Sequence, residues 1–178
     1  MRPLADAERV RRFVHELALA ARIPGRLYLV GGATAVLLGW RPTTIDVDLK
    51  LVPESDELLR ALARLKDELR INVEMAAPSD FIPPLPGWEE RSPFVVQEGK
   101  LAVYHYDLYS QALAKIERGH AQDAGDVRQM LRDGLVEPAR LRELFDRIEP
   151  ELFRYPALNP ASFREALDRT LRDSDLGS

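Results

Sequence analysis

Two glycines and two aspartates carry the chemistry that this chain can be expected to do. Leu29-Val30-Gly31-Gly32 is followed, after thirteen residues, by Asp46-Val47-Asp48-Leu49. Adjacent glycines permit a tight turn and let backbone N–H groups come close to a ligand. N–H groups at a helix start attract anions, phosphate above all. Two carboxylates two residues apart on a strand project from one face. Such oxygens bind hard divalent cations such as Mg2+, which keeps several waters and shares its shell with substrate phosphates. Alone, a Gly-Gly is an ordinary turn and an Asp-x-Asp an ordinary wet strand face. In this order they form the minimum apparatus for metal-assisted phosphoryl or nucleotidyl transfer.

The surrounding elements must deliver these groups to one place. Asp6 to Arg22 reads as an amphipathic helix with Val10, Phe13, Val14, Leu17 and Ala21 on one face, stopped by Pro24-Gly25. Leu27 to Val30 is a short apolar run that fits a buried strand, and Ala33 to Leu38 a short helix ending at Gly39. From Thr44 to Leu51 the pattern alternates. Ile45, Val47, Leu49 and Leu51 point to a core, and Thr44, Asp46, Asp48 and Lys50 point away. Ser55 is placed to cap a helix with Leu58, Leu59, Leu62, Leu65 and Leu69 inside, and Ile71 to Met75 alternates again. The proline-rich stretch from Pro78 to Pro93 reads as a stiff loop packed on the body, and Phe94–Gln97 with Leu101–Tyr106 as a hairpin. Four helices are expected beyond Asp107, at 112–118, 124–132, 138–148 and 162–171. The expected fold is α+β: a core over residues 1–107 and a helical region over 108–178.

The glycine and aspartate motifs resemble the signature of the nucleotidyltransferase superfamily. More narrowly, the chain resembles small bacterial stand-alone nucleotidyltransferase-like proteins that include AbiEii-like toxins. Arg41-Pro42-Thr43-Thr44 matches the Arg and Ser/Thr that precede the carboxylates in that group, and Lys115, Arg118, Asp123 and Asp126 match a Lys…Arg…Asp…Asp pattern. The resemblance covers residues 27–51 and 108–128 and is loose between them. It implies a short mixed sheet flanked by helices, with a helical region added.

It also implies a reaction: transfer of a nucleoside monophosphate from a nucleoside triphosphate (NTP) to a hydroxyl. Two Mg2+ ions, replaceable by Mn2+, would be held by Asp46 and Asp48. Gly31 and Gly32 would hold phosphates, Thr44 would add a hydroxyl, and Lys115 would offset charge on the leaving group. Arg118 and Asp123 would border the nucleotide, Asp123 orienting Lys115 or Arg118. Glu74, on the polar face of 71–75, is the candidate third carboxylate, as metal ligand or base, with Asp80 in reserve. The implied acceptor is RNA, such as a tRNA end, or a protein, and a toxin role implies an antitoxin partner. The alternative is a non-catalytic module that binds a nucleotide or a partner on the same scaffold.

Composition narrows the field. With 46% hydrophobic and 30% charged residues the chain is not a disordered one. The absence of cysteine excludes a disulfide scaffold, a thiolate metal site and a cysteine nucleophile. His15, His105 and His120 lack metal-ligand spacing. No apolar run reaches the roughly 20 residues of a membrane span. Asp6, Glu8 and Glu16 interrupt the first helix, so no secretory signal is expected and the location reads as cytoplasmic. The net charge of −4 is uneven: residues 1–50 hold 8 basic and 5 acidic side chains, and the remainder is acidic. That leaves no basic stripe for a long duplex.

Overall fold

Five strands and eight α-helices form in the computed structural model, which describes residues 1–175. The chain divides into two compact units. The first comprises Met1–Ala77 and Ser92–Tyr106, the second Pro78–Arg91 and Asp107 onward. The architecture is α+β, with a mixed five-stranded sheet flanked by helices, as expected of a nucleotidyltransferase-like fold. The proline-rich residues Pro78–Arg91, expected inside a 1–107 core, fold instead with the helical region. There Ile82 and Leu85 are buried, and the Tyr155 hydroxyl donates to the Ser79 carbonyl at 3.1 Å.

In the first unit, α1 (Ala7–Leu19) starts at Asp6, whose side chain accepts from the Arg9 N–H at 2.9 Å. It ends before Arg22: Ala20 closes the helix, and Gly25 opens the next strand rather than stopping the helix. Strand β1 (Gly25–Val30), helix α2 (Gly32–Leu38), strand β2 (Asp46–Val52), helix α3 (Asp56–Glu68) and strand β3 (Asn72–Met75) follow. Ser55 caps α3 as the sequence indicates. After the insertion come β4 (Phe94–Glu98) and β5 (Leu101–His105), the expected hairpin.

Strand order in the sheet is β3-β2-β1-β5-β4. Strand β1 runs antiparallel to β2 and parallel to β5, and β2 runs parallel to β3. Leu27, Leu29, Val47, Leu49, Leu51, Val73, Leu101 and Val103 join buried residues of α1 and α3 in one apolar cluster. Each such side chain taken from water contributes about 1.5–3 kcal/mol. The cluster fixes register, because a one-residue slip would turn every one of them outward. Two expected core residues lie elsewhere. Ile45 is 64% exposed because it precedes β2, where Thr44 forms an isolated bridge with Ala5, and Leu59 is 38% exposed, its place on the inner stripe taken by Ala61.

The second unit contains α4 (Trp88–Arg91), α5 (Leu108–Arg118), α6 (Ala121–Arg132), α7 (Pro138–Ile148) and α8 (Pro160–Asp175). Short 3-10 turns form at Pro78–Asp80 and Glu149–Arg154. The four expected helices all form: α7 has the expected bounds, and α5, α6 and α8 are longer than their apolar patterns. The last three residues of the expected 108–178 region lie outside the described residues. Phe145 meets Phe163 edge to face, with ring centroids 4.9 Å apart, joining α7 to α8. Among the described residues no helix is long and apolar enough to cross a membrane.

Candidate active site

Alternation in β2 sends Val47, Leu49 and Leu51 into the core and leaves Asp46, Asp48 and Lys50 half-buried on the opposite face. Register then places the neighbours. Val30, the last residue of β1, pairs with Asp48. On the other side Asp46 lies opposite Asn72, and Asp48 lies opposite Glu74. Residues opposite one another in a ladder project from the same face, so Glu74 shares the face of the aspartates. Its side chain is exposed. Asp80, the reserve carboxylate, lies in a 3-10 turn of the second unit.

The glycine turn follows β1 directly. Gly31 has φ +60° and ψ −124° and is the N-cap of α2. That conformation is one L side chains rarely adopt. A methyl group on Gly31 would lie 3.1 Å from Asp48 Oδ2, so the Asp48 carboxylate rests against the turn itself. At Gly32 an added methyl would lie 2.7 Å from Thr44 Cβ and collide with the Thr44 hydroxyl. The second glycine is therefore required for packing, because Thr44 occupies the space beside it. The Thr44 hydroxyl donates to the Asp46 carbonyl at 2.9 Å, and its backbone exchanges two 2.8 Å hydrogen bonds with Ala5. Thr44 thus braces the start of β2 rather than offering its proton outward.

Beneath the turn lies a buried polar chain that the sequence motifs do not include. His105 Nδ1 is 3.1 Å from Thr34 Oγ1, and that hydroxyl donates to the Leu29 carbonyl at 3.2 Å. We assign the proton to Nδ1, since the hydroxyl proton is used on the carbonyl. Burial lowers the His105 pKa from its ordinary 6.5 to about 4, so the ring is neutral at physiological pH. The signal was present in the strand pattern: Leu101, Val103 and His105 occupy successive inward positions of β5.

The second set of matched residues is a closed ion network in the second unit. Lys115 Nζ lies 3.1 Å from Asp123 Oδ1 and 2.8 Å from Asp126 Oδ2, and all three side chains are buried. Arg118 grips Asp123 with two 2.7 Å hydrogen bonds. Burial pushes the Asp123 pKa up, but Arg118 and Lys115 outweigh it and hold the carboxyl below its ordinary value. Asp123 accepts from both Lys115 and Arg118, where the sequence offered one or the other. The Lys115 ammonium, expected as a point charge for phosphate, is taken up by two carboxylates that join α5 to α6. Asp107 caps the start of α5 and pairs with Arg91. It accepts from Arg91 at 3.2 and 2.7 Å and from the N–H groups of Tyr109 and Ser110. Its position just before a helical pattern was the available cue.

Comparison with known families decides the classification. Residues 9–165, most of the chain, match the model of a family described as "Nucleotidyltransferase of unknown function (DUF6036)". The chain belongs to this family. No curated protein and no solved structure matches it. Membership in this nucleotidyltransferase family joins the Gly-Gly and Asp-x-Asp geometry to a nucleotidyltransferase scaffold.

The residues present fit a magnesium ion in one respect. Asp46 and Asp48 supply hard oxygen donors on one face, and Mg2+ is usually held by one or two carboxylates together with waters and substrate phosphates. Among the described residues no group of three or more His, Cys, Asp or Glu side chains is gathered as a metal cage. The donors on this strand face are the two aspartates, with Glu74 opposite Asp48 in register.

Proposed function

We propose that this protein transfers a nucleoside monophosphate from an NTP to a hydroxyl acceptor, with Asp46 and Asp48 as the catalytic carboxylates. The observation that carries this reading is the contact between the Asp48 carboxylate and the Gly31 turn. A phosphate held at backbone N–H groups around Gly31 and Gly32 would lie beside the carboxylates that hold its metal. Mg2+ (or Mn2+), when bound by Asp46 and Asp48, supplies Lewis-acid stabilisation of the transferring phosphoryl group and lowers the pKa of the attacking hydroxyl.

The acceptor oxygen attacks the α-phosphorus, the bond to the pyrophosphate oxygen breaks, and pyrophosphate leaves. The hydroxyl proton passes to Glu74 or to water. Lys115, Arg118 and Asp123 act in this reading by fixing α5 against α6. The acceptor in this reading is RNA, such as a tRNA end, with a protein hydroxyl as the alternative. The toxin role implied by the AbiEii-like resemblance belongs to the same proposal, and an antitoxin would be its partner.

The test is incubation of the pure protein with Mg2+, each α-labelled NTP and total RNA. Label on RNA that disappears in Asp46→Ala and Asp48→Ala is the expected result; full turnover by both variants would end the reading. A second reading is a non-catalytic nucleotide-binding module; among the described residues no third carboxylate is gathered with the aspartates. Nucleotide binding without incorporation into RNA or protein would establish it.

A further inference from the structure

The first unit carries a second polar site, at the junction of α1, the end of α3 and the start of β3. It is a groove of about 310 Å³ lined by Pro3, Arg9, Arg12, Glu68, Leu69, Arg70 and Ile71. Three of those seven side chains are arginine. The one acid is already matched, since Glu68 pairs with Arg64 at 2.8 Å. The carbonyls at the end of α3, which would repel an anion, are covered. Arg9 donates to the Leu69 carbonyl at 2.7 Å and to that of Arg70 at 3.3 Å, and Arg2 donates to the Ile71 carbonyl at 2.9 Å. Arg12 and Arg70 are exposed, and their guanidinium groups enter no ion pair among the described residues.

Arg70 is also unexpected in its backbone. Helices α2, α5 and α6 are each followed by a glycine at positive φ: Gly39 at +94°, Gly119 at +74° and Gly134 at +68°. Helix α3 is followed by Arg70 at +49°, the one non-glycine residue at positive φ among the described residues. Glycine would occupy this position without strain. An arginine held there against its backbone preference points to a use for its side chain.

The groove's position supplies that use. Arg70 and Ile71 lead directly into Asn72, the strand partner of Asp46. Pro3 lies two residues before Ala5, which pairs with Thr44. The Arg70 rim is thus two residues from the partner of Asp46, and the Pro3 rim two residues from the partner of Thr44, which lies two residues before Asp46. Two strand residues span only about 7 Å.

We propose that this groove binds the phosphate backbone of the acceptor RNA, with Arg12 and Arg70 contacting phosphates and Arg9 holding the floor. An RNA chain leaving the carboxylates over the end of the sheet would then run across the arginines. The proposal deepens the reading of the protein as a nucleotidyltransferase acting on RNA.

Its test needs neither Mg2+ nor NTP, so it stands apart from the transfer assay. A fluorescein-labelled single-stranded RNA is titrated with the full chain and followed by anisotropy over a range of salt. Arg12→Ala and Arg70→Gly should each weaken binding about tenfold and lower the salt slope by about 0.7 per arginine removed. Arg60→Ala, an exposed arginine outside the groove, should change nothing. Arg70→Gly should keep or raise the melting temperature, which separates lost binding from lost fold. Equal RNA affinity in both groove variants and wild type, or no RNA binding by wild type, overturns the proposal. So does equal competition by polyglutamate, which would mark an acidic protein segment as the occupant. Displacement of the RNA by inorganic phosphate or free NTP at matched charge would assign the arginines to the nucleotide instead. If RNA binding depends on the groove but no label is transferred, the transfer reading fails and this one stands.

Discussion

The two units place acidic side chains in different settings. In the first, Asp48 lies opposite Glu74 in register, with Asp46 two residues away on the same strand face. In the second, Asp123 and Asp126 are buried, but Lys115 and Arg118 compensate them within 3.1 Å. Carboxylates side by side on one strand face repel one another, a repulsion that a bound cation would offset in the proposed reading. Pairing buried carboxylates with a lysine and an arginine specifies how two helices meet. The contrast teaches that matched acidic motifs in one family need not share a role.

The sharpest way to break the contrast is to remove one carboxylate from each unit's cluster. Asp48→Ala should lower transfer by about a thousandfold, the upper range for deleting one preorganised charge-stabilising group, with no loss of thermal stability. A Tm that falls with activity would mean that the first cluster is structural too. Lys115→Met should instead unfold the protein more readily, by about 3–5 kcal/mol in urea titration, because it strands two buried carboxylates. Adding Asp123→Asn and Asp126→Asn to that variant should restore part of the loss. An unchanged midpoint in Lys115→Met would place the network outside the stability argument.

Two smaller effects sharpen the picture of the first unit. His105 is neutral when folded, with a pKa of about 4 against an ordinary 6.5. The unfolded chain therefore binds a proton between these values that the folded chain does not. Stability is fully present above pH 6.5 and declines as pH falls toward 4, by about 3 kcal/mol for this group. His105→Gln should flatten that part of the stability–pH curve in a denaturant series; an identical slope in the variant would refute the assignment. Gly31→Ala should cost about 1–3 kcal/mol through its backbone conformation. It should also reduce transfer, because the new methyl presses on Asp48. A variant with wild-type turnover and a wild-type urea midpoint would show that the turn tolerates a side chain.

Local signals were legible where chemistry and periodicity agree. The β2 alternation, the Gly31-Gly32 turn, the Ser55 cap and the α5–α8 helices could be read from residue type and spacing alone. Failures came where neighbours distant in the chain decide. Ile45 fits the alternating pattern, yet pairing of Thr44 with Ala5 holds it outside the strand. Pro78–Arg91 resembles a loop of the core, but its apolar side chains and Arg91 fold with the helices. Lys115 looks like a phosphate ligand by spacing, and its burial between two aspartates cannot be seen in sequence.

The sequence by itself determined which residues bear charge, which faces of helices and strands are apolar, and where glycine is needed, because these are properties of neighbouring residues along one chain. Only the tertiary structure decided which carboxylates meet a glycine turn and which meet a lysine. Strand register and helix docking minimise exposed apolar area over the whole fold, and side-chain partners 8 to 71 residues apart follow from that collective solution rather than from any local pattern.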